Sequence, residues 1–344
     1  MKIIKSSVKI LDNDWSIKGI FRAIERAGRT CYKSVGTRYF RLEKGPENSL
    51  ESNLIKQAQS DPRVVCKQGA YFDPAYYLSI PNKFISDYLN IEQFDEENFE
   101  DSPYYENLTA EDFVNMLIKS NHGAMLEHGT VYLYDTYDIS AIGSWTNSLG
   151  YKYSKNKYSK VITNDHMDIR DIYITTNLRV LIENDWLDDL KYVCEPTEYH
   201  AKRVMVRFIC DRGVSHEIVR HRVMSFAQES TRYCNYSKNK FGQELTFIEP
   251  AWEFPSSNIV NTRERFEAML EEAEANYMEL ITLGFKPQEA RAVLPNALKT
   301  EIVVTGFIDD WKHFFELRCD SAAHPDIRKL ALDLQKQFID REFI

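Results

Sequence analysis

Hydrophobic spacing along the chain is clearest in its last third and weakest near its start. Residues 262–283 carry Phe266, Met269, Leu270, Ala273, Tyr277 and Leu280 at helical intervals, with Asn261 placed to cap the start and Gly284 just past the end. Pro287 suits the first turn of a further helix running through PQEARAVL. After Pro325 a last helix is predicted, with Ile327, Leu330, Ala331, Leu334 and Phe338 on one face. Two segments read instead as strands: TVYLYDTYDI at 130–139, rich in aromatic and β-branched residues, and RVMVRFIC at 203–210, where Arg203 and Arg207 flank apolar positions. RGVSHEIVRHR then reads as a helix or a helical turn.

The first half is harder to read. Residues 17–33 have the pattern of an amphipathic helix that ends near Gly28. Ala110 to Ile118 is helical in pattern and leads into NHGAMLEH at 121–128. Residues 92–101 hold six acids and no base, the mark of a solvated surface loop. From Gly150 to Lys160 the chain is rich in Tyr, Ser, Lys and Asn, and a helix is expected around 176–184. The stretch 140–200 therefore reads as an insertion between two core strands. With no internal repeat and no Pro/Gly/Ser-rich linker, the expectation is one catalytic domain over 1–344, with insertions at about 35–105 and 140–200. Its expected class is α+β, a central, mostly antiparallel sheet flanked by helices.

Composition narrows the class of activity. The 344 residues are 43% hydrophobic, enough for a sizeable core, and the net charge of −9 argues against a surface built for nucleic acid. No signal peptide and no apolar run long enough for a bilayer stands out, so a soluble cytoplasmic protein without membrane contact is expected. The six cysteines, at 31, 66, 194, 210, 234 and 319, form no CxxC pair and read as reduced, mostly buried thiols. His122 and His128 are six apart, and HEIVRH also lacks the i, i+4 spacing of a helical zinc pair, so no metal is expected. GxSxG, GxGxxG and P-loop patterns are all missing, so any cofactor is held by other means.

Charge along the chain changes that picture locally. Between 201 and 241 nine Lys/Arg face three Asp/Glu, a net +6 inside an acidic chain. RHRVMSFAQESTRY sets Arg220, Arg222 and Arg232 beside Ser230, Thr231 and Tyr233. Guanidinium groups grip phosphate through paired hydrogen bonds and hydroxyls add neutral donors. Composition alone leaves two readings open, a nucleotide-phosphate site and a solvated basic face. A nucleic-acid-binding role for the same stretch would show as strongly salt-dependent binding.

RHR, seven residues, then Ser resembles the signature of the flavin-dependent thymidylate synthases; here it is Arg220-His221-Arg222, VMSFAQE and Ser230, continuing as Thr231-Arg232-Tyr233. NHGAMLEH, EARAVLP at 289–295, FFELRCDSAAHPDIR at 314–328 and the early ERAGRTCYKS resemble further pieces of that family in the same order. The likeness leaves out roughly 35–105 and 140–200. It implies reductive methylation of dUMP to dTMP, with methylenetetrahydrofolate as carbon donor, NADPH as reductant and tightly bound FAD, in a homotetramer with shared sites. Arg318 would polarise the uracil and Ser230 would act near the ring, as polariser rather than nucleophile because no base adjoins it. Glu217, Ile218, Val219, Arg220, Gln228, Glu229, Ser230, Thr231, Arg232, Arg291 and Arg318 would contact dUMP. Arg220, His221, Arg222, Gln228, Thr130, His128 and His313 would contact FAD. Gln228 stands where some members carry glutamate, and Phe307 to Asp309 depart from the family's flavin-contacting stretch. A relative acting on another uracil nucleotide, or mainly as an NADPH oxidase, is the alternative within the class.

Overall fold

The computed structural model describes the chain except residues 34–38, 43–49, 61–64, 69–75, 80–104, 107–108, 141–144 and 239–240. It divides into two units, Met1–Ser34 with Met116–Ile344, and Val35–Asn115. Among the described residues no helix is long and apolar enough to cross a membrane.

The larger unit is built on an antiparallel sheet of β2 (Ser7–Leu11), β10 (Arg203–Asp211), β11 (Ser225–Gln228) and β13 (Lys299–Phe307), in the spatial order β11-β13-β10-β2. Side chains alternate across a strand, and that alternation gives the sheet two covered faces. Val204, Val206, Phe208 and Cys210 of β10 join Ile302 and Val304 of β13 on one face. They pack against Trp311, Phe314 and Phe315 of the helix Ile308–Arg318 and Ile327, Leu330, Leu334 and Phe338 of the helix Pro325–Asp340. All five apolar positions predicted for the last helix are buried. On the other face Met205, Val303 and Ala227 meet Ala23 and Ala27 of the helix Ile17–Tyr32.

That first helix runs past the end expected near Gly28. Gly28 is buried within it, and the chain turns only at Lys33, which is left-handed at φ 45°.

A second antiparallel sheet joins β7 (Thr130–Asp138), β8 (Lys160–His166) and β9 (Ile169–Asn177) in the order β7-β9-β8. The segment 130–139 is a strand as predicted, but it pairs with strands from 140–200 instead of with the central sheet. That stretch thus supplies structure to its neighbour. Its helix, Leu178–Glu183, starts where Asn177 caps the Val180 N–H. A short parallel pair, β1 (Lys2–Lys5) with β12 (Thr246–Glu249), lies beside the helix Thr262–Thr282. Asn261 caps that helix, and Gly284 follows it at φ +95°, a conformation that suits glycine. Leu270 and Tyr277 are buried as the spacing predicts, whereas Met269 is 51% exposed. It adjoins the buried row without being on it.

The second unit holds the helix Leu50–Ser60 and a small antiparallel sheet, β3 (Tyr39–Leu42), β4 (Val65–Gln68), β5 (Tyr76–Ser79) and β6 (Tyr105–Glu106), in the order β4-β5-β3-β6. The acidic segment at 92–101 lies outside the described residues.

Candidate active site

The helix Arg212–Ile218 starts on Asp211, whose carboxylate accepts the Val214 N–H at 2.8 Å. Its last carbonyls turn the chain into the signature: Arg220 N–H donates to Glu217 O and His221 N–H to Ile218 O. The turn buries His221 and leaves Val219, Arg220 and Arg222 exposed. No hydrogen bond or ion pair to the described chain engages the guanidinium of Arg220 or Arg222. Val223, next in line, is held at φ +77° and is 68% exposed. A β-branched residue there is strained, at a cost of about 1–3 kcal/mol.

Arg318, at the end of the helix Ile308–Arg318, is fixed from three sides. Its Nη1 donates to Glu217 Oε2 at 2.6 Å, Nη2 to the Glu217 carbonyl at 3.1 Å and Nε to His221 Nε2 at 3.0 Å. Burial, with Arg318 and His313 nearby, pushes His221 down to about 4. The imidazole is therefore neutral at pH 7. Because Nε2 accepts a hydrogen bond, the proton resides on Nδ1. The ring rests edge-on against Phe314 at 4.9 Å. His313 lies 6.2 Å from it, largely exposed, with Nδ1 3.3 Å from Glu316.

Beyond β11 the expected dUMP-contacting residues divide. Gln228 donates to Ser215 Oγ at 2.8 Å and Thr300 Oγ1 at 3.3 Å, which ties β11 to the helix before the signature. Glu229 turns inward. It meets Lys299 at 2.9 Å and the Tyr236 hydroxyl at 3.0 Å, in a buried cluster with Glu301 and Lys33. The two lysines hold Glu301 down at about 2 against its burial. Ser230 receives the Arg232 N–H on its Oγ, and its own N–H donates to Cys31 O at 3.0 Å. Arg291 Nη1 donates to Thr231 Oγ1 at 3.2 Å. The structure thus brings together Glu217, Ile218, Arg220, His221 and Arg318, and separately Ser230, Thr231, Arg232 and Arg291.

His128 and Thr130 belong to neither group. His128 Nδ1 lies 2.8 Å from Thr305 Oγ1. Thr305 alternates with Val304, so His128 sits on the sheet face opposite Arg318. Full burial, with Arg203 nearby, lowers it to about 3. Thr130 Oγ1 accepts from Arg203 Nη1 at 3.1 Å. Arg203 in turn lines a cleft of about 320 Å³, together with Glu127, Lys157, Lys160, Arg179, Met224, Ser225 and Phe307 among others. Sequence reading singled out none of these as site residues; Arg203 amid apolar strand positions was the one available signal. Cys31, Cys194, Cys210, Cys234 and Cys319 are all free. Among the described residues no cluster of metal-ligating side chains occurs.

Residues 197–341 match the family model described as thymidylate synthase complementing protein. The flavin-dependent thymidylate synthase of Pyrococcus furiosus is 34% identical over 138 residues, 39% of this chain and 53% of that protein. The enzyme of the same description from Geobacter sulfurreducens is 35% identical over 123 residues, 36% and 50% of the respective chains. The chain thus spans about half the length of the relatives it matches. A solved structure described as a UMP/dUMP methylase PolB from Streptomyces cacaoi, bound with 5-Br UMP, covers 40% of this chain and 69% of that one at 18% identity and a TM-score of 0.34, too slight a likeness to build on. The span that matches the family model holds the signature, Arg291 and Arg318.

Proposed function

We propose that the chain is a flavin-dependent thymidylate synthase that methylates dUMP to dTMP, with methylenetetrahydrofolate as carbon donor, NADPH as reductant and FAD as cofactor. The observation that carries the reading is the clamp on Arg318, a cation held by Glu217 and neutral His221 beside the exposed guanidiniums of Arg220 and Arg222. A fixed cation needs no reorganisation when negative charge develops next to it, which is how such a group lowers a barrier. Arg318 would face the uracil ring and stabilise the charge that builds on it. Arg291, Thr231 and Arg232 would hold the nucleotide. Ser230 has no base within hydrogen-bonding reach among the described residues, which favours a polarising role over a nucleophilic one.

The donor set suits a flavin nucleotide. Arg220 and Arg222 offer free forks for phosphate, His221 is neutral, and the cleft adjoining Val223 has both apolar and cationic walls. The flavin would supply the hydride, and the protein binds, orients and polarises. The reading includes a homotetramer with shared sites, a cytoplasmic setting and no metal. Visible absorption of the purified protein, with and without dUMP, tests it. A flavin spectrum perturbed by dUMP is expected. A colourless protein that takes up no FAD overturns the reading.

A further inference from the structure

Arg203 is the most deeply buried cation described in this protein's larger unit, and its surroundings are incomplete. Its residue is 6% exposed. Nη1 donates to the Glu127 carbonyl and Thr130 Oγ1, each at 3.1 Å, and Nη2 to Ser225 Oγ at 3.2 Å. Every one of these acceptors is neutral, and among the described residues Arg203 forms no ion pair. Burial lowers it to about 10, with Glu127 and Asp310 acting from a distance to offset part of that cost. Buried charges are ordinarily paired, because desolvation without a counter-charge is expensive.

The nearby acids are largely committed. Glu127 and Glu183 share Arg179, at 2.6 Å and 2.7 Å. Asp310 Oδ2 accepts the Phe307 N–H at 3.0 Å, and Asp309 pairs with Lys160 at 2.9 Å. Arg203 lines the cleft, Lys157 and Lys160 stand on its wall, and Phe307 carries both Arg203 and Lys160 against its ring, at 5.5 Å and 4.4 Å. Lys157, Lys160 and Arg179 all come from the stretch 140–200, which the family resemblance does not cover.

We infer that this cleft is an anion subsite, with Arg203, Lys157 and Lys160 receiving the phosphate or diphosphate of a nucleotide ligand. Ser225 and Asn177 add neutral polar groups, while Met224, Val180 and Tyr158 offer apolar surface for the rest of such a molecule. The insertion then contributes binding groups to the site it adjoins. Assigning the nucleotide as FAD rests on the proposed function; the anion subsite itself does not.

Isothermal titration of the full chain with inorganic diphosphate, compared between the wild type and the Lys157→Ala/Lys160→Ala variant, tests the subsite. Both lysines lie at the surface of the cleft, so the variant should fold. Its diphosphate affinity should be about tenfold lower, and the wild type's should weaken as salt rises. Competition by FAD but not riboflavin would identify a flavin nucleotide as the source, and competition by NADPH alone a nicotinamide nucleotide. Diphosphate bound with lysine-dependent affinity by a protein that takes up no flavin keeps the subsite and sinks the flavin reading. Diphosphate bound equally by both proteins, or by neither, overturns the subsite whatever the flavin does.

Discussion

Acidification should loosen the protein through His221. His221 is held at about 4 by burial, with Arg318 and His313 nearby, against an ordinary value of 6.5. The unfolded chain therefore binds a proton that the folded chain refuses between those two values. The stability this contributes is full above about 6.5 and is lost as pH falls toward 4. Each pH unit in that window costs about 1.36 kcal/mol, so lowering pH to 5 should remove about 2 kcal/mol through this one residue. His128, held at about 3, adds a similar loss. Glu301, held near 2, titrates lower and leaves the window clear. Urea unfolding at pH 7, 6 and 5 measures the slope for the wild type and for His221→Gln, whose amide oxygen can still accept from Arg318 Nε. The variant should lose about 2 kcal/mol less over the window. Equal slopes for the two proteins would refute the buried, neutral imidazole. The same proton would remove the acceptor that Arg318 Nε uses, so turnover should fall on the acid side as well.

Three further outcomes follow from the geometry. Arg318→Ala should lower turnover by about 10²–10³-fold while the flavin spectrum is retained; turnover within threefold of the wild type would remove Arg318 from its role. Val223→Gly should raise unfolding stability by about 1 kcal/mol by relieving the positive φ, as read from urea midpoints, and a loss of stability would show that the turn is not strained. Lys299→Met leaves Glu229 and Glu301 facing each other with only Lys33 between them, so it should cost about 3 kcal/mol at pH 7 and part of that should return at pH 4.

Periodicity read the helices of the last third well because each carries an uninterrupted apolar row. The helix Pro325–Asp340 buries all the positions its spacing singled out. Strand character at 130–139 was legible but its partners were not, since alternation says which face is buried and nothing about which strand lies alongside. The hairpin β8–β9 escaped notice because its outer strand, Lys160–His166, is half exposed and rich in polar residues. Around the site, motif order singles out Arg318, Arg291 and the signature as candidates. Which of their neighbours turn inward was hidden: Glu229 reads like its neighbours along the chain, yet its side chain belongs to the lysine cluster beneath the sheet. Arg203 was visible as a charge amid apolar positions, but only the fold shows that its partners are all neutral.

The activity proposed for this site is methylation of dUMP. Tritium release from 5-labelled dUMP, with dTMP quantified in the same reaction, tests it most directly when methylenetetrahydrofolate, NADPH and FAD are supplied and then omitted one at a time. Release and dTMP should rise together, and omitting methylenetetrahydrofolate or NADPH should stop both, whereas omitting FAD should stop them only for protein stripped of its flavin. Release and dTMP at background with all components present, in a protein that has taken up flavin, would contradict it.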